Sequence, residues 1–138
     1  MIKNLRTTNN MFIDQTSRIS FKFDGKTLYC FKGDSLASAL LANDIHLVGR
    51  SFKYHRPRGI MACGSEEPNA IVQVGNDASM TEPNTRATEI ELYEGLEASS
   101  QNCWPSVNFD IGAINNFFSP LIHAAFYYKT LLVPAHFW

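Results

Sequence analysis

Residues 50–59 hold the side chains of this sequence that are best suited to binding an anion. The stretch reads Arg-Ser-Phe-Lys-Tyr-His-Arg-Pro-Arg-Gly, and it contains four of the 12 Lys and Arg residues of the whole chain. A guanidinium group pairs with a carboxylate or a phosphate through two parallel hydrogen bonds. We therefore predict that this stretch, called the basic loop below, contacts an anionic surface or group through Arg50, Lys53, Tyr54, His55, Arg56, Arg58 and Gly59.

The end of the basic loop cannot continue as a helix. Pro57 fixes its own backbone and disfavours helical geometry at Arg56, and Gly59 allows a tight turn. The cations are therefore expected on an extended loop. Two alternatives remain open: a solvated basic loop, or neutralisation of Arg56 or Arg58 by the neighbouring acidic pair Glu66 and Glu67.

Cysteine is the second residue type that could do chemistry here. The chain has three cysteines, at positions 30, 63 and 103, and their wide spacing is typical of a reducing compartment rather than of a disulfide framework. A plant-type iron–sulfur cluster needs four thiolates, three of them in a C-x4-C-x2-C run. A run that begins at Cys63 places the next two ligands at Pro68 and Ile71, which cannot bind iron.

A second register of the same run ends just before the apolar Ile71–Val72 pair. It places the three ligands at Ala62, Glu67 and Ala70, and none of these is a thiolate. We therefore predict that the chain binds no 2Fe-2S cluster and that Cys63 is an ordinary small residue.

Other catalytic and metal-binding patterns are missing from the sequence. The four histidines have no metal-ligand spacing to one another or to cysteine, so no metal site is predicted. No serine or cysteine is marked as a nucleophile by a neighbouring base, and no glycine-rich phosphate-binding motif occurs. We predict no catalytic residue in this chain, and the sequence alone indicates no cofactor-binding residue.

Length and composition set further bounds. A chain of 138 residues predicts one domain, and a net charge of −1 argues against a general nucleic-acid or membrane-surface protein. The N-terminal apolar run is too short for a signal peptide, and no stretch approaches the ~18 apolar residues of a membrane helix. A cytoplasmic location without membrane contact is expected.

The elements that must position the basic loop begin with a predicted hairpin. Ile19, Phe21 and Phe23 alternate with polar residues, Asp24-Gly25 is a strong hairpin turn signal, and residues 27–31 supply the returning strand. Asp34 or Ser35 can cap a following helix, and Asn43 is expected at its left-handed end. A short strand over residues 45–48 then leads into the basic loop.

This order of two strands, a helix and a further strand predicts an α+β chain of the β-grasp class. Residues 69–74 and 88–93 are two more predicted strands, the second with one wet face. We expect a flexible lead-in over residues 1–17, the β-grasp domain over 18–98 and an apolar segment over 99–138.

The C-terminal segment differs in kind from the domain before it. The last 35 residues hold nine of the chain's 17 aromatic side chains but only two formal charges, Asp110 and Lys129. A segment of this composition favours burial against another domain or subunit. Its end at Phe137-Trp138, without polar residues, is typical of a piece of a longer chain.

Several long and unusual motifs resemble one family, the α subunits of heterotetrameric sarcosine oxidases. They run in order from about residue 17 to the end: Phe23–Lys26, Gly33–Asn43, Val48–Ile60, Glu67–Ala70, Glu82–Thr88, Gln101–Asn102, Trp104–Ser106 and Phe126–Thr130. In that family the region is N-terminal and forms a ferredoxin-like β-grasp domain. Related dehydrogenases of amino acids and opines keep the cluster cysteines, whereas this branch has lost them. Cys63 and Cys103 are departures within otherwise matching motifs.

The resemblance implies an enzyme complex whose chemistry lies outside these 138 residues. The family α subunit continues into domains for NAD and tetrahydrofolate, the β subunit carries FAD, and FMN lies near the α/β boundary. The family reaction converts sarcosine, oxygen and tetrahydrofolate into glycine, hydrogen peroxide and methylenetetrahydrofolate. The partners implied are the remaining domains of the α subunit and the other subunits, and this piece is expected to be inactive alone.

Two other functions are weighed against this one. A free-standing nucleic-acid-binding module would use the basic loop, with Phe52 and Tyr54 stacking on bases, but the net charge and the apolar C-terminus count against it. An electron-transfer ferredoxin would need the cluster that the cysteine spacing excludes.

Overall fold

The computed structural model describes residues 13–77 and 79–121. The chain opens with a hairpin of β1 (Asp14–Phe23) and β2 (Lys26–Lys32), which pair antiparallel. Asp24 and Gly25 form its two-residue turn, and both have positive φ angles, 49° and 75°. Phe21 and Phe23 are buried while Lys22 between them is exposed, as alternation predicts. The predicted hairpin is confirmed.

Helix α1 (Leu36–Ala42) follows the hairpin and packs its apolar face into the core. The Ser35 hydroxyl caps it by accepting a hydrogen bond from the N–H of Ser38, so the predicted cap is confirmed. The expected left-handed end at Asn43 is wrong: Asn43 has φ −95°, and the left-handed residue is Asp44, with φ 61°. The Asn43 amide instead donates to the carbonyl oxygens of Ala39 and Tyr29.

Seven strands form two sheets in the described part of the chain. The remaining strands are β3 (Leu47–Arg50), β4 (Pro57–Gly59), β5 (Ile71–Val74), β6 (Glu82–Arg86) and β7 (Glu97–Ser100). The larger sheet has the order β2-β1-β7-β5-β6, and β3 pairs with β4 in a separate hairpin. With α1 packed into the same core, this arrangement confirms the predicted α+β class.

The predicted strand over residues 88–93 is wrong. Its alternation of exposure is real, since Leu92 is buried and Glu91 is exposed, but the described residues form no strand here: Glu91 makes an isolated bridge with Ser35, at the start of the helix. The N–H of Leu36 donates to the carbonyl oxygen of Ile90 and the N–H of Ala37 donates to that of Ala87, both at 2.9 Å. Ile90 of the segment and the preceding Ala87 thus accept from amides in the first turn of α1, which have no partner inside the helix.

Strand β7 occupies the middle of the larger sheet. It pairs parallel with β1 and antiparallel with β5, so the predicted domain end at residue 98 lies inside it. Of the predicted lead-in, residues 14–17 belong to β1 and residues 1–12 lie outside the described residues. After β7 come a 3-10 turn (Ile111–Ala113) and the short helix α2 (Ile114–Phe117). Within the described residues, no helix combines the length and apolar character that crossing a membrane requires.

Candidate functional site

The β3–β4 hairpin presents the basic loop at the edge of the domain. Arg50 pairs with Pro57 across the hairpin, and a bridge between Gly49 and Gln101 ties the hairpin to the end of β7. Gly59 sits so close to the backbone that an added Cβ would lie 2.7 Å from the carbonyl oxygen of His46. The loop is therefore a tight hairpin connection whose position is set by the sheet.

Arg50 is held inside the chain. Its Nε and Nη2 atoms both donate to the carbonyl oxygen of Val107, at 2.9 and 2.8 Å, and its Nη1 donates to the carbonyl oxygen of His55 at 3.0 Å. The guanidinium group thus joins the basic loop to the segment that follows β7. These acceptors are neutral carbonyl groups of this domain.

His55 makes the second link to that segment. Its Nδ1 lies 2.7 Å from Oδ2 of Asp110, whose side chain is fully buried while that of His55 is 20% exposed. The other carboxylate oxygen, Oδ1, accepts hydrogen bonds from the N–H of Trp104 and of Gly112, at 3.0 and 3.1 Å. Asp110 therefore joins three separate parts of the chain.

The electrostatics of Asp110 follow from these contacts. Burial by itself raises the pKa of a carboxyl group, but the hydrogen bonds from Trp104, His55 and Gly112 outweigh it and hold the pKa of Asp110 below its ordinary value. Gly112 also makes room for the imidazole, since an added Cβ would lie only 2.4 Å from Nδ1 of His55. The site thus favours a charged carboxylate packed beneath the ring.

The remaining cations of the basic loop also have partners in the described residues. Arg56 donates from Nε to Oδ1 of Asn116 at 2.9 Å, and its guanidinium lies 4.7 Å from the centre of the Tyr54 ring. Lys53 lies 5.9 Å from the same ring centre. Arg58 donates to the side-chain oxygen of Asn69.

The alternative that Glu66 or Glu67 neutralises Arg56 or Arg58 finds no support in the contacts of the described residues. Glu66 is exposed, and the structure shows no ion pair between either glutamate and Arg56 or Arg58, all of which lie in its described part. The Glu67 carboxylate is buried and accepts hydrogen bonds only from backbone N–H groups of its own loop. The prediction that the basic loop contacts an anionic partner stays a prediction.

The segment held by the basic loop carries six exposed apolar side chains, together called the apolar face below. Its members are exposed by half or more of their surface, and Phe117 is exposed by 81% and Trp104 by 68%. They are Trp104, Phe109, Ile111, Ile114, Phe117 and Leu121. The apolar segment predicted over residues 99–138 stays a prediction: residues 99 and 100 belong to β7, and residues 122–138 lie outside the described residues.

Sequence reasoning missed two acidic residues that organise this region. Asp110 was visible as the only acidic residue of the last 35, a signal that a lone carboxylate in an apolar segment needs partners. Glu67 was hidden by its resemblance to Glu66, because two adjacent glutamates are typical of a solvated surface. One signal did single it out: the C-x4-C-x2-C spacing that ends before Ile71 places Glu67 at a ligand position.

Two curated relatives are similar over most of the chain. The sarcosine oxidase subunit alpha of Rhizobium meliloti (strain 1021) is 60% identical over 126 residues, which is 91% of this chain and 13% of that protein. The sarcosine oxidase subunit alpha of Corynebacterium sp. (strain U-96) is 39% identical over 89 residues, which is 63% of this chain and 9% of that protein. The chain therefore spans only a small part of the length of these relatives. The identity to them confirms the predicted resemblance to sarcosine oxidase α subunits.

A solved structure and a family match agree on the fold. The crystal structure of L-proline dehydrogenase from P. horikoshii superposes with a TM-score of 0.52 at 25% identity, over 67% of this chain and 17% of that one. Residues 16–103 match the family described as 2Fe-2S iron-sulfur cluster binding domain. The ferredoxin-like fold is confirmed.

The residues of this chain do not fit the cluster that the family description implies. The register ending at β5 places Ala62, Glu67 and Ala70 where thiolates are needed, and the Glu67 carboxylate is already held by backbone amides. Cys30 is buried in the core, away from this loop in sequence. The chain belongs to the 2Fe-2S iron-sulfur cluster binding domain family, as a member whose ligand loop holds a buried glutamate.

Proposed function

We propose that this chain is the N-terminal region of a sarcosine oxidase α subunit and serves there as a structural docking domain. The 60% identity over 91% of the chain supports the assignment to such a subunit. The proposed parent enzyme oxidises sarcosine, and the FAD, FMN, NAD and tetrahydrofolate implied by the family resemblance would be held outside these residues. The free-standing nucleic-acid module gains no support from an observation of this structure.

One observation carries the docking role. The apolar face is exposed, yet the segment that bears it is fastened to the domain by Arg50 and by the His55–Asp110 pair. Exposed apolar surface of this extent usually marks an interface. A domain that holds such a surface in a defined shape is suited to receive the rest of a larger subunit. We propose the remaining α subunit as its partner, with the other subunits of the oxidase assembled around it.

The basic loop is proposed to extend the same interface. Arg56 and Arg58 each donate to one asparagine oxygen, which leaves further guanidinium donors able to reach an acidic surface. In the assembled enzyme, Arg58→Ala would weaken assembly or flavin retention by more than tenfold if the pair is buried, because truncating one partner of such a pair costs ~2 to 5 kcal/mol. An exposed pair contributes only ~0.2 to 1 kcal/mol.

The docking role is tested in the full enzyme by mutating the apolar face. Trp104→Ser and Phe117→Ser are expected to lower the yield of assembled oxidase more than tenfold, while the melting temperature of the 138-residue chain stays close to that of the wild type. Tyr93→Ser is the matched control, since Tyr93 is an aromatic residue of similar exposure, 61%, outside the segment. Normal assembly of both variants would refute the role.

The proposal that this chain has no catalytic activity alone can be tested by an activity assay. The purified chain, supplied with FAD, FMN, NAD and tetrahydrofolate, is expected to show no sarcosine-dependent oxygen uptake. Turnover above that of a protein-free blank would overturn the proposal that the catalytic groups lie elsewhere.

A further inference from the structure

Residues 60–70, called the Glu67 loop below, connect β4 to β5 and fold around a single carboxylate. Glu67 is only 1% exposed. Its Oε2 accepts hydrogen bonds from the N–H groups of Met61 and Ala62, at 2.7 and 2.5 Å. Its Oε1 accepts from the N–H groups of Asn69 and Ala70, at 2.8 and 3.0 Å. Both oxygens are thus satisfied by backbone alone.

No cationic side chain balances the Glu67 carboxylate among the described residues. Arg86 contacts Glu67 at its main chain, since its Nε donates to the carbonyl oxygen of Glu67 at 3.2 Å. An isolated buried charge is very unfavourable, so the converging amide dipoles must provide the compensation. Although burial raises the pKa of the Glu67 carboxyl, these hydrogen bonds bring it below its ordinary value. The loop is therefore an anion-binding nest.

The nest lies where one register of the family's ligand spacing falls, the register that ends just before β5. The C-x4-C-x2-C spacing that ends at β5 falls on Ala62, Glu67 and Ala70. Two of these three residues, Ala62 and Ala70, donate their backbone N–H groups to the side chain of the third. A cluster held by four thiolates also carries net negative charge, and hydrogen bonds to its sulfur atoms are among the features that tune it.

The loop also supports its neighbours. Thr88 donates from its hydroxyl group to the carbonyl oxygen of Gly64 at 2.8 Å, and the N–H of Ala87 donates to the carbonyl oxygen of Ala70 at 2.8 Å. These contacts reach the segment that caps α1. Arg58 of the basic loop contacts Asn69. The shape of the Glu67 loop therefore affects both the core and the basic loop.

We propose that the carboxylate of Glu67 replaces the iron–sulfur cluster as the anion around which residues 60–70 fold. The chain thereby keeps the ligand loop of its family in a closed form without iron or sulfide. A corollary defines a latent binding site: with the side chain removed, the nest takes a small carboxylate from solution.

The test is rescue of Glu67→Ala by acetate, which matches the deleted methylene and carboxylate atoms. In the full chain, this variant is expected to unfold at lower temperature than the wild type and to regain stability as acetate is added. For a site with a dissociation constant near 10 mM, 100 mM acetate would raise the ratio of folded to unfolded chain by ~10-fold. Acetamide has nearly the same shape but no charge, and it is expected to give no rescue.

The control variant is Glu66→Ala, since Glu66 is the adjacent exposed glutamate. Acetate is expected to change its stability no more than it changes that of the wild type at equal ionic strength. Equal rescue by acetamide and acetate, or equal rescue of both variants, would overturn the proposal. If Glu67→Ala is unfolded in buffer, the same comparison is made on its recovery of circular dichroism.

If acetate does not restore the fold of Glu67→Ala, the proposal is tested with Glu67→Gln instead. Glutamine keeps the shape of the side chain but places its NH2 group against two backbone N–H donors, so an anion nest loses two of its four hydrogen bonds and leaves those donors unpaired. The proposal expects the unfolding equilibrium constant to rise more than tenfold. A Glu67→Gln chain as stable as the wild type would show that the side chain only fills space, and the proposal would be wrong.

Discussion

The contact between His55 and Asp110 allows a quantitative prediction about how the apolar face is held. Asp110→Ala removes the acceptor of three hydrogen bonds, which come from His55 and from the N–H groups of Trp104 and Gly112. A hydrogen bond to a charged group contributes about 1.5 to 3 kcal/mol, and a typical neutral one about 1 kcal/mol. We take about 1 kcal/mol for each, because His55 is partly exposed and water can replace the lost acceptor. The expected loss is about 3 kcal/mol.

Hydrogen exchange can locate that loss in the chain. The N–H of Ile111 donates to the carbonyl oxygen of Trp104 inside the affected segment, and the N–H of Lys22 donates to that of Leu96 at the sheet. A loss of about 3 kcal/mol corresponds to a roughly 100-fold rise in the opening equilibrium. We expect this acceleration at Ile111 and little change at Lys22, since the loss is local.

Two further variants complete this experiment. Asp110→Asn keeps an oxygen for the two backbone donors and loses the charge, so its effect should be about a third as large. Asp77→Ala removes an exposed carboxylate and should leave exchange at Ile111 unchanged. Equal exchange at Ile111 in the wild type and in Asp110→Ala would refute the claim that Asp110 fastens this segment.

Three other predictions concern the same contacts. Gly112→Ala is expected to cost about 1 to 3 kcal/mol, measured by urea unfolding, because its Cβ would overlap the His55 ring, and an unchanged midpoint would contradict this. Arg50→Lys should cost about 1 to 2 kcal/mol in the same assay, since an ammonium group cannot reproduce the forked contact; a neutral result would show that the fork is dispensable. The folded pKa values of Asp110 and Glu67 lie below their ordinary values, so their contribution to stability is complete above about pH 4.5 and is lost as the pH falls through the folded pKa values. In the double variant Asp110→Asn, Glu67→Gln, the melting temperature should fall less steeply as the pH is lowered. An unchanged fall would show that other groups cause the loss of stability in acid.

The first third of the fold could be predicted because its signals are local. Asp24-Gly25 defines the first turn by itself, and Phe21 and Phe23 alternate with polar residues on one strand. Ser35 lies where a helix cap is needed. Each of these features depends on residues a few positions apart, so no knowledge of the rest of the chain is required.

Strands β6 and β7 could not be predicted because their stability comes from distant partners, whereas the apolar run of β5 lay within the strand predicted over residues 69–74. Strand β7 has the sequence Glu-Ala-Ser-Ser, with no β-branched or aromatic residue, and it is a strand because β1 and β5 enclose it. Strand β6 contains Pro83, which is tolerated because β6 lies at the edge of the sheet. Conversely, residues 88–93 have strand-like alternation, but the carbonyl oxygen of Ile90 accepts from the first turn of α1 and the segment forms no strand.

The contacts of the basic loop could not be predicted from the sequence. The density of cations identified residues 50–59, and the structure places Arg50 and His55 against a segment about 55 residues further along the chain. Pairing over such a distance depends on how β3 is joined to β7, which local patterns do not encode. The role of Glu67 could not be predicted either, because it depends on four backbone N–H groups that point towards its carboxylate.

The central place of β7 has a consequence for how the chain is made. Strand β1 finds its parallel neighbour about 75 residues later, as the pairing of Lys22 with Glu97 shows. At about 5 to 20 residues per second, the ribosome takes roughly 4 to 15 s to supply that neighbour, and sequence-distant pairing also slows folding. During this interval β1 presents an unpaired edge, and β5 presents another once residues 71–74 have been made; such edges are templates for aggregation. Nascent chains stalled before residue 97 should therefore depend on chaperones, whereas chains extended past residue 100 and clear of the exit tunnel can close the sheet.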